Sequence, residues 1–282
     1  MNEPKIVDAH QHFIRFHPEE YPWIDEGMGQ LRQDHLPDEL TRICRSEGVT
    51  ATIAVEARQS LSETDWLLGI ARRNPLVAGV VGWFDLCDPL IETVLERYAD
   101  EPLLKGVRHV LHDEADESFM LSREFVRGIA ALGQRGLAYD ILIFTRHLPQ
   151  TLELVRRFPE QRFVIDHLAK PPISGGELAS WRELLRPVAA CPNVFCKLSG
   201  MVTEASPGGW RSGALAPYIE TVLELFGPAR TMFGSDWPVC TLEASYGEVL
   251  AIVKEATSPL TASERAMILG ETAARFYDLD VG

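Results

Sequence analysis

Three histidines and one aspartate are the residues of this 282-residue chain whose types and spacing could do chemistry. His10 and His12 stand two apart in Asp8-Ala9-His10-Gln11-His12, His167 follows Val164-Ile165-Asp166, and Asp236 follows Phe233-Gly234-Ser235 and precedes Trp237-Pro238. Imidazole nitrogens and carboxylate oxygens ligate divalent ions such as zinc. The same groups move protons near neutral pH. In an extended segment the side-chain period of two places Asp8, His10 and His12 on one face, with the imidazoles about 7 Å apart, close enough to converge on one metal or one substrate group. Asp8, one step deeper, reads as a hydrogen-bonding partner for that pair. An isolated His-x-His is equally a pair of surface histidines, so its place in the fold has to decide.

Short apolar, β-branched runs alternate with helical patterns along the whole chain. Strands are expected at 6–10, 49–55, 76–83, 104–110, 137–143, 162–167, 193–199 and 230–235. Helices are expected near 37–47, 62–74, 89–98, 121–134, 148–158, 177–190, 213–226 and 243–256. A ninth should start at Thr261-Ala262-Ser263-Glu264, which has the form of a capping box. Regular strand-helix alternation implies parallel strands with crossover helices. Eight such units predict an α/β fold, a closed (β/α)8 TIM barrel with an extra C-terminal helix, in one domain over 1–282. An open doubly wound sheet would usually carry a glycine-rich turn after its first strand. Here that strand runs into Asp8-Ala9-His10-Gln11-His12 without a glycine.

Barrel active sites lie at the C-terminal ends of the strands. His10 and His12, His167 and Asp236 all fall there, and closure would bring strand eight, with Asp236, beside strand one. Asp166 and His167 are neighbours, so alternation lets one face the lumen while the other ties down the loop. The same parity allows only one of Arg108 and His109 inward. Asp140 and Lys197 interrupt apolar strands five and seven. A charge there must contact substrate or be paired, and a buried structural ion pair remains open. Trp23 and Trp210, in loops, could line a pocket or simply pack. The run from His112 to Glu117 reads as a solvated loop.

Composition narrows the function classes. With 41 acidic against 27 basic residues the formal net charge is −14, which argues against nucleic acid and gives no reason to expect anionic membranes. No apolar run approaches the roughly 20 residues needed to span a bilayer. Met1-Asn2-Glu3-Pro4-Lys5 lacks the layout of a signal peptide. Five cysteines without CxxC spacing read as reduced thiols in a cytoplasmic protein. A soluble enzyme acting on a small molecule remains, and the negative charge favours a neutral substrate.

Several motifs together resemble the amidohydrolase superfamily, more narrowly its lactonase-type branch. They are Asp8-Ala9-His10-Gln11-His12, Tyr21-Pro22-Trp23-Ile24, Gly106-Val107-Arg108-His109, Asp166-His167-Leu168-Ala169-Lys170-Pro171, Cys196-Lys197-Leu198-Ser199-Gly200 and Phe233-Gly234-Ser235-Asp236-Trp237-Pro238-Val239. The stretch from Tyr21 to Leu36 is most similar to hydrolases of L-fuconolactone and similar aldonolactones. The resemblance implies the same barrel, with its site at the C-terminal mouth. Many superfamily members carry a bridging lysine on strand four and a histidine on strand five. This chain has Arg108-His109 and Tyr139-Asp140 there. The resemblance therefore implies at most one divalent ion, zinc for preference, on His10, His12 and Asp236, with His167 as a fourth contact. Action without a metal stays open.

On this reading Asp236 is the general base for water and His167 a second catalytic group. Arg108 and the histidines, or the metal, polarise the lactone carbonyl. Arg108, His109, Asp140, Lys197, Trp23 and Trp237 are the candidate substrate contacts, with Trp83 as another ring for a sugar to stack on. A carboxylated muconolactone- or pyrone-type lactone would need Arg58 and Arg146 beside Arg108. A decarboxylase would need the absent strand-five histidine.

Overall fold

The helices start where local chemistry starts them. Ser60 caps Leu61–Ala71, accepting a hydrogen bond from the Glu63 backbone N–H. Ser245 with Glu248 and Thr261 with Glu264 form reciprocal capping boxes ahead of Tyr246–Ala256 and Ala262–Ala266. Pro37 opens Pro37–Glu47, and Gly48, at φ +73°, ends it in the left-handed conformation.

The computed structural model describes residues 5–280. The N-terminal stretch read above for its lack of a leader layout lies outside them, save Lys5. Eight parallel strands pair in sequence order. They are β1 (Ile6–Gln11), β2 (Val49–Val55), β3 (Val77–Gly82), β4 (Leu104–Val110), β5 (Ala138–Leu142), β6 (Phe163–Ile165), β7 (Val194–Leu198) and β8 (Thr231–Phe233). Between them run α1 (Pro37–Glu47), α2 (Leu61–Ala71), α3 (Ile91–Glu96), α4 (Arg123–Gln134), α5 (Leu148–Arg157), α6 (Leu178–Ala189), the short α7 (Met201–Glu204) and α8 (Ala216–Phe226). After β8 come α9 (Tyr246–Ala256), α10 (Ala262–Ala266), a π-helical turn Met267–Glu271 and α11 (Thr272–Phe276). The expected (β/α)8 barrel with a trailing helix is the observed fold. β6 and β8 are shorter than expected, because their last polar residues leave the sheet to build the mouth.

The barrel closes at that mouth. The His12 N–H donates to the Trp237 carbonyl at 2.7 Å, and the Asp236 N–H to the His10 carbonyl at 2.8 Å. The floor is apolar: Val7, Ala9, Ile53, Val81, Val164 and Met232 pack together with Ala273, Phe276 and Tyr277. The C-terminal helix thus plugs the bottom of the barrel and contributes side chains to its interior.

The second of two register changes between β1 and β2 redirects β1. Asp8 pairs with Thr52, but Gln11 pairs with Ala54, so β1 spends one residue more than β2. A bulge of this kind re-aims side chains. It corrects the expectation that Asp8 shares a face with His10 and His12. Asp8 instead points toward the helix layer, where the Tyr246 hydroxyl of α9 donates to it at 2.9 Å. It also accepts from the Ser235 N–H at 2.8 Å and the Ser235 hydroxyl at 2.6 Å. Burial pushes its carboxyl up to about 6, against the pull of those bonds.

Candidate active site

His10 and His12 leave the end of β1 with their Nε2 atoms 3.2 Å apart. The Nδ1 of His12 lies 2.9 Å from the Val55 carbonyl, an oxygen that can only accept. Nδ1 therefore carries the proton, and the Nε2 lone pair faces inward. The Nδ1 of His10 lies 3.3 Å from the Asp166 carboxylate. Burial first of all holds His10 well below its ordinary pKa, so its imidazole is neutral.

Asp236 completes the group from β8. Its carboxylate lies 3.4 Å from His12 Nε2 and 3.8 Å from both His10 Nε2 and His167 Nε2. Burial disfavours its charge, but the neighbouring His167 and His12 outweigh that, and its carboxyl sits below the usual range. Asp236 has φ +58°, a left-handed geometry that aspartate tolerates better than most residues. Gly234 allows the close approach of β8, because a Cβ there would stand 2.7 Å from the His10 Cβ.

His167 and Asp166 both face the lumen, which strict alternation forbids. Four consecutive non-glycine residues, His167 to Lys170, have φ between +46° and +61°. Such geometry costs roughly 1–2 kcal/mol per residue. It is held by the Trp181 indole N–H, which donates to the Leu168 carbonyl at 2.8 Å, and by the Thr145 hydroxyl on the Ala169 carbonyl at 3.1 Å. Leaving the strand this way turns both side chains inward. His167 Nδ1 rests 2.8 Å from the Ser199 hydroxyl, and burial holds its pKa well below the ordinary value.

Beneath the imidazoles lies a layer of buried charge. Lys197 ion-pairs with Asp140 at 2.5 Å and Asp166 at 2.9 Å, and it lies 3.2 Å from His10 Nδ1. Asp140 and Lys197 are thus the buried ion pair left open above, and both are fully buried. Arg108 turns inward. Its guanidinium donates to Glu56 at 2.9 Å, lies 3.3 Å from Asp166 and stands 3.2 Å from His10 Nε2.

Its neighbour His109 turns away. It stacks on Phe119, accepts from the Trp83 indole N–H at 3.3 Å and contacts Glu114 at 2.6 Å. Trp237 is only 1% exposed and packs edge-on to His35 and Phe13. Trp23 and Trp83 are half-buried, with their indole N–H groups engaged by the Ala57 carbonyl and His109. Trp210 packs, its indole on the Glu243 carbonyl. The residues from Asp113 to Glu117 are largely exposed.

Two members of the cluster escape the sequence reading. Asp166 was paired with His167 as an either-or. Glu56, directly after β2, is a charged residue ending an apolar strand, the same signal that marks Asp236.

The donor set fits a divalent cation. The Nε2 atoms of His10 and His12 stand 3.2 Å apart, a spacing at which both can ligate one ion. Ligands of a tetrahedral zinc at ordinary bond lengths are about 3.3 Å apart. Among the described residues of the lumen, Glu56, Asp140, Asp166 and Asp236 oppose Arg108 and Lys197, an excess of negative charge that a divalent ion would neutralise. Among the described residues, His10, His12 and Asp236 form one ligand-spaced group, and His10, Asp166 and His167 a second that shares His10.

Comparison with known proteins agrees with this geometry. Residues 7–279 match the family described as amidohydrolase. An L-fucono-1,5-lactonase of Burkholderia multivorans is 44% identical over 288 residues, covering 97% of this chain and 96% of the relative. A second L-fucono-1,5-lactonase, from Burkholderia ambifaria, is 35% identical over 278 residues, with 97% and 96% covered. The crystal structure of an amidohydrolase from Burkholderia multivorans with bound zinc superposes with a TM-score of 0.92 at 43% identity, covering 98% of this chain and 99% of that one. This chain therefore belongs to the amidohydrolase family.

Proposed function

We propose that this protein is a lactonase that opens a sugar lactone, L-fucono-1,5-lactone or a similar aldonolactone, to the aldonic acid. The observation that carries the reading is Asp236, ionised and ringed by His10, His12 and His167 at the barrel mouth. It is supported by nearly full-length similarity to two L-fucono-1,5-lactonases.

In the proposed mechanism Asp236 takes a proton from the attacking water and returns it to the departing ring oxygen. His167, neutral and steadied by Ser199, holds the water or the carbonyl by its Nε2. Arg108 directs positive charge at the oxygen on which negative charge develops. His10, His12 and Asp236 would hold a single zinc ion, which when bound would supply Lewis acidity. Trp23 and Trp83 are the rings proposed to flank the sugar.

A dicarboxylated lactone is not favoured, because the two arginines it would need beside Arg108 are already paired elsewhere. Arg58 bonds Glu63 and Glu20, and Arg146 meets Glu117. We further propose that 1–282 works as one catalytic unit on a small molecule in the cytoplasm. All five cysteines are free, and among the described residues no helix is long and apolar enough to cross a membrane.

The test is acid release, followed with a pH indicator, from a panel of aldonolactones and carboxylated lactones with and without a chelator. L-Fucono-1,5-lactone should be among the best substrates. Flat traces on every aldonolactone would overturn the reading. The chelator arm decides whether the metal is needed.

A further inference from the structure

The floor of the barrel holds a polar path that the proposed chemistry does not use. Tyr277 follows α11, is 1% exposed, and passes its hydroxyl up among the apolar floor residues. That hydroxyl donates to Asp140 Oδ2 at 2.7 Å. The same oxygen takes the Lys197 ammonium at 2.5 Å. Lys197 in turn meets Asp166 at 2.9 Å and lies 3.2 Å from His10 Nδ1. Its ammonium also sits 5.6 Å from the centre of the Tyr277 ring.

Asp140, Lys197, Asp166 and His10 are each fully buried. None of them can exchange a lost partner for bulk water, so removing one contact shifts the rest. A long lysine side chain in a packed interior needs its ammonium held on more than one side. Asp166 holds it toward the mouth, and Asp140, fixed by Tyr277, holds it toward the floor.

We propose that Tyr277 is a positioning residue for the active site. Through Asp140 and Lys197 it sets the orientation of Asp166 and the His10 imidazole, so the C-terminal segment controls the geometry of the mouth from the far end of the barrel. The inference rests on the lactonase reading for its kinetic test, and on the His10, His12 and Asp236 donor set for its second test.

The experiment uses the full chain carrying Tyr277→Phe, Asp140→Asn or both, with Phe276→Leu, at the last residue of α11, as a packing control. Tyr277→Phe should lower kcat on L-fucono-1,5-lactone about 10-fold and weaken zinc, measured by competition with a chromophoric chelator, by a similar factor. KM should stay within about twofold, because Tyr277 touches no substrate. In the Asp140→Asn background the same change should have little further effect, since residues acting in series are not additive. Phe276→Leu should lower the melting temperature while leaving kcat within about twofold.

Wild-type kcat and zinc affinity in Tyr277→Phe would overturn the inference, as would fully additive effects in the double variant. Should Tyr277→Phe not fold, Asp140→Asn alone carries the test, with the same expected losses, and wild-type values there overturn it. A wild type without lactonase activity counts against the lactonase reading, and zinc competition then decides on Tyr277 alone.

Discussion

A Cβ on Gly200 would stand 2.5 Å from Nδ1 of His167. Gly200 also has φ +63°, so the end of β7 depends on this glycine twice, for its backbone and for the space it leaves the imidazole. Gly200→Ala should lose roughly 1–2 kcal/mol of stability from the left-handed backbone alone. It should also push His167 away from Asp236 and lower kcat at least about 10-fold. Thermal unfolding and steady-state kinetics on the same preparation check both.

Asp236→Asn should lower turnover by about 100-fold or more, the usual loss for a general base, while the melting temperature stays near wild type. Retention of more than about a tenth of the rate would show that another group takes the proton.

Zinc should bind at one ion per chain, and His12→Ala should weaken it at least about 10-fold. The His12 tautomer is fixed by Val55 to present its Nε2 lone pair, and alanine removes that ligand. Elemental analysis and chelator competition measure this directly. Unchanged affinity in the variant would move the ion away from His12.

Glu63 gives a stability term with a definite sign. Burial in the first place pushes its carboxyl up from 4.5 to about 7, and the Glu56 charge adds to that, against bonds from Ala57 and Arg58. The folded protein therefore holds this proton more tightly than the unfolded chain. The stabilisation is complete below about pH 4.5 and is lost as pH rises through about 7. Relative to Glu63→Gln, wild type should lose up to about 3 kcal/mol across that window. Denaturant melts of both proteins at pH 4.5 and 8 would show it, and a constant difference would refute it.

The thiols should separate into two classes. Cys44, Cys196 and Cys240 are buried, while Cys87 and Cys191 are partly accessible. Burial pushes the Cys44 thiol up to about 12 and raises Cys196 and Cys240 too, so few thiolates are available to react. A colourimetric thiol reagent should label at most Cys87 and Cys191 readily in the native protein, and all five cysteines in denaturant.

Much of the site was legible because local pattern constrains it. Apolar runs alternating with capped helices specify the barrel, and polar residues at strand ends mark the candidate site. His10, His12, His167 and Asp236 were all identifiable on that basis. Glu56 was identifiable by the same rule. Side-chain direction was not legible at the mouth, where the strands stop being regular. The period of two holds through Arg108 and His109 of β4, sending one inward and the other toward Phe119. It fails in β1 at the bulge, where Asp8 turns to Ser235 and Tyr246. It fails again after β6, where the left-handed run sends both Asp166 and His167 inward.

The amino-acid sequence by itself thus determined the barrel, its order and the strand ends that carry the candidate site residues, because hydrophobic period and capping are encoded within a few residues of one another. The tertiary structure alone decided the direction of Asp8, the joint entry of Asp166 and His167, the pairing of Asp140 with Lys197 and the reach of Tyr277 into the floor. Each of those depends on a partner tens to hundreds of residues away, and a strained or charged group keeps its place only when such partners hold it.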